Sequence, residues 1–303
     1  MKFSKQHYLL DGGMGQELQR RGLEKTGLWS GQALISNPQL VQKLHEDYIR
    51  AGADIITTNT YTTTHERLER SGILDRFTEL NRMAGQLAYR ARRATKRDDV
   101  LIAASIPPLR GSYLHEAVGE FDELEPLYRA QAEELEPYVD LMICETMSSS
   151  VETLAAVTAI ASTGKPAWVA WTLQDGGSDL LRSGETIADA AKVLENVPVS
   201  AFLINCCAPE SVTAGMAELV KLKDQATSGL VGGYANGFVE IPQGWDVEVD
   251  GIDQLQARED LDPEMYASHV EQWLSLGAQI VGGCCEVGPD HIARMRTLLD
   301  TTE

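Results

Sequence analysis

No run in this sequence approaches the about 20 consecutive apolar residues that a membrane-spanning helix needs, and the stretch from Met1 to Gly13 lacks the apolar centre of an export signal. A soluble, cytoplasmic protein is therefore expected. Positive charge is scarce: 26 Lys and Arg face 45 Asp and Glu, giving a net charge of -19. A chain so acidic is repelled by a nucleic-acid backbone or an anionic membrane surface, so neither is expected as a partner. A cationic or zwitterionic small molecule suits it better. The sequence also has no Cys-x-x-Cys, no Pro/Ser linker and no low-complexity segment. Its five cysteines are an odd number, and four of them form two adjacent pairs, Cys206-Cys207 and Cys284-Cys285. That is a poor disulfide framework, and clustered thiols in a reducing compartment read first as metal ligands or catalytic groups.

What is present is a recurring unit. Short apolar, β-branched-rich runs end in small or polar residues and lead into amphipathic stretches. The runs are Tyr8 to Leu10, Ile55 to Thr57, Leu101 to Ala104, Leu141 to Cys144, Ala167 to Thr172, Ala201 to Ile204, Leu230 to Gly233 and Gln279 to Val281. Between them, apolar residues fall at helical spacing over Pro38 to Ala51, Leu74 to Thr95, Leu124 to Leu135, Thr186 to Leu194, Ser211 to Leu222 and Pro263 to Leu276. Eight buried strands alternating with helices over 303 residues predict an α/β fold, a (βα)8 TIM barrel occupying residues 1–303 as one domain. An open α/β sheet is the rival. In such barrels active sites sit at the C-terminal ends of the strands, where nearly every unusual polar or cysteine residue of this chain falls.

Cys206 and Cys284-Cys285 are too far apart for a local zinc knuckle, yet a barrel brings the ends of strands six and eight to one mouth. Three thiolates leave a tetrahedral zinc one ligand short, as in a catalytic site. Buried structural cysteine is the plainer alternative, and two adjacent pairs at strand ends, one behind Gly282-Gly283, argue against it.

The chain resembles the homocysteine S-methyltransferase family along its whole length. The resemblance is carried by Asp11-Gly12-Gly13-Met14-Gly15 with Glu17-Leu18 and Arg21-Gly22, by Leu28-Trp29-Ser30, and by Ala51-Gly52-Ala53-Asp54 leading into Thr58-Asn59-Thr60-Tyr61. It continues through Glu145-Thr146, Asn205-Cys206, Tyr234-Ala235-Asn236 and Gly282-Gly283-Cys284-Cys285 with Pro289 and Ile292. The resemblance implies zinc (Zn2+) as cofactor, with Cys206, Cys284 and Cys285 as its ligands. Cys207 sits at a variable position of the pattern, and Cys144 reads as a small core residue. Homocysteine would bind as thiolate, because the metal lowers the pKa of an incoming thiol while three thiolate ligands keep its sulfur nucleophilic.

The resemblance also assigns Asp11 and Glu145 to the ammonium of homocysteine. Gly12 and Gly13 let the backbone approach closely, and their N–H groups are candidates for its carboxylate. Asn59, Thr60, Tyr61 and Asn236 are candidates to line the same mouth, with strand-end packing an equal alternative. Trp29 and Tyr61 offer aromatic faces to a methylated cation. The histidines His45, His65, His115, His269 and His291 show no metal spacing and read as surface or packing residues.

Two departures bear on the methyl donor. After strand three, S-methylmethionine enzymes tend to carry a Gly-Pro-Tyr-Gly-Ala-like segment, whereas this chain has Ile106-Pro107-Pro108-Leu109-Arg110-Gly111-Ser112-Tyr113-Leu114. Betaine enzymes have an aromatic residue just beyond strand two, and Thr62-Thr63-Thr64 has none. A sulfonium, S-methylmethionine or S-adenosylmethionine, is the expected donor. Betaine, a separate corrinoid protein, a non-catalytic zinc-binding role and a redox dithiol are the alternatives.

Overall fold

The computed structural model describes residues 3–24, 27–225, 229–242, 245 and 255–302. Eight strands occur in it: β1 (Tyr8–Leu9), β2 (Ile55–Thr57), β3 (Leu101–Ile106), β4 (Leu141–Met147), β5 (Ala167–Trp171), β6 (Ala201–Asn205), β7 (Leu230–Tyr234) and β8 (Ile280–Val281). The helices are α1 (Met14–Arg20), α2 (Gln32–Ser36), α3 (Pro38–Ala51), α4 (His65–Arg70), α5 (Phe77–Thr95), α6 (Phe121–Leu135), α7 (Ser150–Ala161), α8 (Ile187–Lys192), α9 (Pro209–Gln225), α10 (Pro263–Leu276) and α11 (Pro289–Thr302). Among the described residues no helix is long and apolar enough to cross a membrane.

All ladders are parallel, in the order β1-β8-β7-β6-β5-β4-β3-β2. The two ends of this sheet meet. Leu10 bridges Ile55, the Asp11 N–H donates to Ile55 O at 3.0 Å, and the Asp54 N–H donates to Leu9 O at 2.7 Å. The result is the (βα)8 barrel that the strand-helix alternation predicts.

Strand residues alternate between two cores, as the period of two requires. Leu10, Ile55, Ala103, Ile143, Trp168, Ala170 and Leu203 fill the barrel interior. Val169, Trp171, Phe202 and Ile204 point outward into the layer shared with the helices. Trp171 stacks on Phe202 there with ring centroids 5.4 Å apart. Each such large side chain contributes about 1.5–3 kcal/mol by leaving water.

Helix boundaries follow local chemistry. Asn37 caps α3 by accepting the Leu40 N–H, Pro38 follows at the first helical position, and Gly52 ends the helix at φ 109°. Asp262, Pro263 and Gly277 do the same for α10. The stretch expected to start at Leu74 divides instead, a 3-10 turn over Leu74–Arg76 preceding α5.

The largest difference from the expected strands is in β4, which runs past Cys144 to Met147. Its pairing with β5 shifts register between Cys144 and Met147, so Glu145 and Thr146 occupy a bulge. A bulge leaves a residue unpaired and re-aims its side chain. Thr146 adopts φ 60°, and Asn205 Oδ1 accepts its N–H at 2.8 Å.

Candidate active site

Cys206 follows the last residue of β6 in a left-handed conformation, φ 51°. Its N–H donates to Tyr234 O at 3.1 Å, and Thr172 Oγ1 donates to its carbonyl at 3.2 Å. After β8, Gly283 N–H donates to Asp11 O at 3.1 Å and Cys284 N–H to Ala235 O at 2.9 Å, while Cys285 O accepts the Gly237 N–H at 2.9 Å. These backbone bonds hold the thiols of Cys206, Cys284 and Cys285 within 4.8 Å of one another. Cys284 Sγ lies 2.7 Å from Cys206 Sγ. Hydrogen bonds from Cys284 and Cys285 draw the Cys206 thiol well below its ordinary pKa, and the Cys284 and Cys285 thiols are pushed up in return. Three thiols within this reach could hold a metal ion, and an all-sulfur donor set suits zinc, whose bonds to sulfur are about 2.3 Å. Among the described residues this is the sole cluster of histidine, cysteine and acidic groups close enough to share a metal.

Cys207 and Cys144 lie elsewhere. Both are wholly buried in the layer between barrel and helices, and burial pushes both thiols up. His45 is wholly buried too, and burial lowers its pKa to about 4.

Beside the thiols stand two buried carboxyls, Asp11 at 2% and Glu145 at 8% exposure. Asp11 accepts the Thr57 N–H at 2.8 Å and the Thr57 hydroxyl at 3.0 Å. Burial raises its pKa to about 8 against these hydrogen bonds, and the Glu145 charge adds to the rise. The Glu145 carboxyl accepts from Ser105 Oγ and, at 3.1 Å, from Tyr234 OH. Burial lifts it to about 7, opposed by the Ser105 hydrogen bond and reinforced by Cys206. Neither carboxyl has a cationic hydrogen-bond partner among the described residues.

A cavity of about 80 Å³ joins these groups, lined among others by Asp11, Gly12, Gly13, Trp29, Asn59, Tyr61, Glu145, Cys206, Cys284 and Cys285. The glycines are needed for closeness: a Cβ on Gly12 would lie 2.1 Å from Val287 O, and one on Gly13 2.6 Å from Cys284 O. Gly13 N–H is already committed to Val287 O at 2.9 Å, so it is not available to a substrate carboxylate. Trp29, at φ 46°, packs over Gly15, whose Cβ would strike its ring at 2.2 Å, and it meets Tyr61 edge-on at 6.1 Å.

Two residues expected at the mouth do not line this cavity. Thr60 is wholly buried, its hydroxyl 2.7 Å from Thr58 Oγ1 and donating to Ser105 O at 2.8 Å. Asn236 accepts the Phe238 N–H at 3.2 Å in a local turn. Conversely Thr57, Ser105, Tyr234 and Trp245 line it without having been proposed as site residues from sequence, and Tyr113 lines it from the Ile106 to Leu114 segment that the sequence ties to the methyl donor. Three of them, Thr57, Ser105 and Tyr234, are polar residues at or near strand ends, which the barrel rule points to. Trp245 comes from outside the strands and helices and carries no such signal.

A family model described as homocysteine S-methyltransferase matches residues 8–299. The homocysteine S-methyltransferase of Escherichia coli (strain K12) is 31% identical over 309 residues, covering 95% of this chain and 94% of its own. The selenocysteine methyltransferase of Astragalus bisulcatus is 29% identical, over 97% of this chain and 92% of its own. Among solved structures, the metallated form of the E. coli homocysteine methyltransferase MmuM superposes with a TM-score of 0.81 at 28% identity, over 97% of both chains.

Proposed function

The chain belongs to the homocysteine S-methyltransferase family and is a methyltransferase acting on homocysteine, and on that premise we propose that its donor is a sulfonium and its cofactor zinc. The donor is S-methylmethionine or S-adenosylmethionine, the product methionine, and residues 1–303 act as one homocysteine-binding barrel. The observation that carries this reading is the pairing of three converging thiols with two buried carboxyls that have no cationic partner among the described residues.

Cys206, Cys284 and Cys285 would hold the zinc, which supplies the acidity that makes a thiol ionise near neutral pH. Asp11 and Glu145 bind the homocysteine ammonium, which provides the positive charge their burial calls for. Thr57 orients the first carboxylate, and Ser105 and Tyr234 the second. Gly12 N–H is the backbone donor left for the substrate carboxylate. The homocysteine sulfur bonds to the donor's methyl carbon as the donor's own S–CH3 bond breaks, and that electron pair leaves on a neutral thioether. Trp29 and Tyr61 offer the approaching cation aromatic surface, although one face of Tyr61 already carries the Arg67 guanidinium at 5.0 Å from its centroid.

The test is methionine formation from homocysteine with S-methylmethionine, S-adenosylmethionine and glycine betaine supplied separately. Turnover with a sulfonium and little with betaine is expected. Robust betaine turnover with neither sulfonium accepted would overturn the donor assignment and leave the homocysteine site standing.

A further inference from the structure

A second, larger cavity of about 490 Å³ opens on the same face, lined by Tyr113, Asp175, Arg182, Glu240 and neighbouring residues. The inner cavity, at about 80 Å³, is the smaller of the two and is lined by the thiols and by the two carboxyls assigned to homocysteine. Tyr113 lines both cavities. Its hydroxyl is 3.1 Å from Cys206 Sγ, and the Arg182 guanidinium lies over its ring at 4.8 Å from the centroid. One phenol ring therefore separates the thiol cluster from a buried arginine.

Arg182 has the marks of a prepared ligand group. Its side chain is 8% exposed and pairs with Asp175, itself 3% exposed, at 3.0 Å. Asp175 is fixed in turn by accepting the Ala208 N–H at 3.0 Å and the Ile241 N–H at 2.9 Å. The arginine rides on a hairpin after β5, whose bridges join Leu173 to Leu181 and Leu180 to Thr186. Yet its Nε is buried with no hydrogen-bond partner. Asp175 takes one Nη of the guanidinium, so a carboxylate entering the cavity meets the remainder of a planar cation whose buried Nε stays unfavourable until an acceptor arrives. The exposed Glu240 at the same cavity suits an ammonium.

We propose that this outer cavity binds the α-amino acid end of the methyl donor, with Arg182 recognising its carboxylate, so that the donor's sulfonium reaches past Tyr113 toward the thiol cluster. This rests on the sulfonium reading above. The ligand chemistry is a zwitterionic amino acid carrying a cationic sulfur, a description that S-methylmethionine and S-adenosylmethionine share.

The experiment compares zinc-loaded wild type with Arg182→Lys, which keeps a cation for Asp175 but loses the fork. The donors are S-methylmethionine, S-adenosylmethionine and trimethylsulfonium, which has no carboxylate. In the variant, KM for the amino acid sulfonium used by the wild type should rise about tenfold or more, while trimethylsulfonium turnover and KM for homocysteine stay within about twofold. Whichever of the two amino acid donors shows the rise is the natural source. Equal losses on every donor, or no change on any, overturn the assignment. If Arg182→Lys does not fold, the wild type decides alone: equal kcat/KM for S-methylmethionine and trimethylsulfonium overturns the subsite, and a clear preference for the amino acid sustains it. Calorimetric binding of the two amino acid sulfoniums separates this proposal from the donor reading. Arg182-dependent binding without turnover sustains the subsite and ends the sulfonium reading, whereas absence of binding ends the subsite.

Discussion

At the N-terminal face of the barrel Asp54, 4% exposed, is held by Lys5 and Arg296 at 2.6 Å each and accepts the Leu9 N–H at 2.9 Å. At the C-terminal face Asp11 and Glu145 are buried about as deeply, with only hydroxyl and amide donors for partners. A carboxylate out of water needs a compensating positive charge. At one end of the barrel the chain supplies that charge itself, and the acid ties β1, β2 and α11 together. At the other end no cation partners the acids among the described residues, and on the proposed function the substrate ammonium supplies the charge. Stability is concentrated at the first face and chemistry at the second, the division typical of this architecture.

Substitutions at the two faces should therefore fail in opposite ways. The largest effect belongs to the thiols. Replacing Cys206, Cys284 or Cys285 by Ser should remove the metal and bring methyl transfer to background, with little change in the melting temperature of the metal-free protein. Cys207→Ser, in the core layer, should keep metal and activity. Full zinc content in purified Cys284→Ser, measured by elemental analysis, would end the ligand assignment. At the opposite face Asp54→Asn should destabilise by about 2 kcal/mol, less than for a fully buried pair because Lys5 is 42% exposed. Its KM for homocysteine should match the wild type. A shifted KM together with an unchanged denaturation midpoint would erase the contrast between the faces.

The stable frame was far more legible in the sequence than the site. Parallel strands buried on both sides read as short continuous apolar runs, so all eight could be located, and α3 and α10 were marked by the helical spacing of apolar residues over Pro38 to Ala51 and Pro263 to Leu276. That strand ends converge also followed from the fold, and with it the gathering of three cysteines distant in sequence. What could not be read depends on packing between distant segments. The bulge that carries Glu145 reflects the fit of β4 against β5, and the Gly13 N–H is taken by Val287 because the loop after β8 packs on it. Thr60 bonds to Ser105 rather than reaching the cavity. The pairing of Arg182 with Asp175 beneath Tyr113 leaves no motif at all.

A smaller effect tests whether the missing charge is the substrate's ammonium. Asp11→Asn or Glu145→Gln removes a charged acceptor worth roughly 1.5–3 kcal/mol, so KM for homocysteine should rise by about one to two orders of magnitude with zinc retained. Because neither carboxyl has a cationic partner among the described residues, neither change should lower the stability of the substrate-free protein, unlike Asp54→Asn. Homocysteine kinetics unchanged in both variants would remove the pair from substrate binding.

The smallest effect is a pH dependence of stability, and its sign follows from Asp11. Burial raises this carboxyl from 3.8 to about 8 in the folded chain. Between those values the folded state holds a proton that the unfolded state has released, so raising the pH lowers the free energy of unfolding. The contribution is fully present below pH 3.8 and is lost as the pH rises through about 8. For the metal-free, substrate-free protein the melting temperature should fall by on the order of a few degrees between about pH 6 and pH 8.5, and Asp11→Asn should flatten that slope. Homocysteine should act in the opposite direction. Its ammonium stabilises the ionised carboxylate, so binding expels the proton, and the stabilisation it confers should grow toward pH 8. Melting curves of wild type and Asp11→Asn across this range, with and without homocysteine, measure both slopes. If the two proteins show the same slope without ligand, Asp11 is not the proton-holding group, and its burial must be compensated from within the chain as at Asp54.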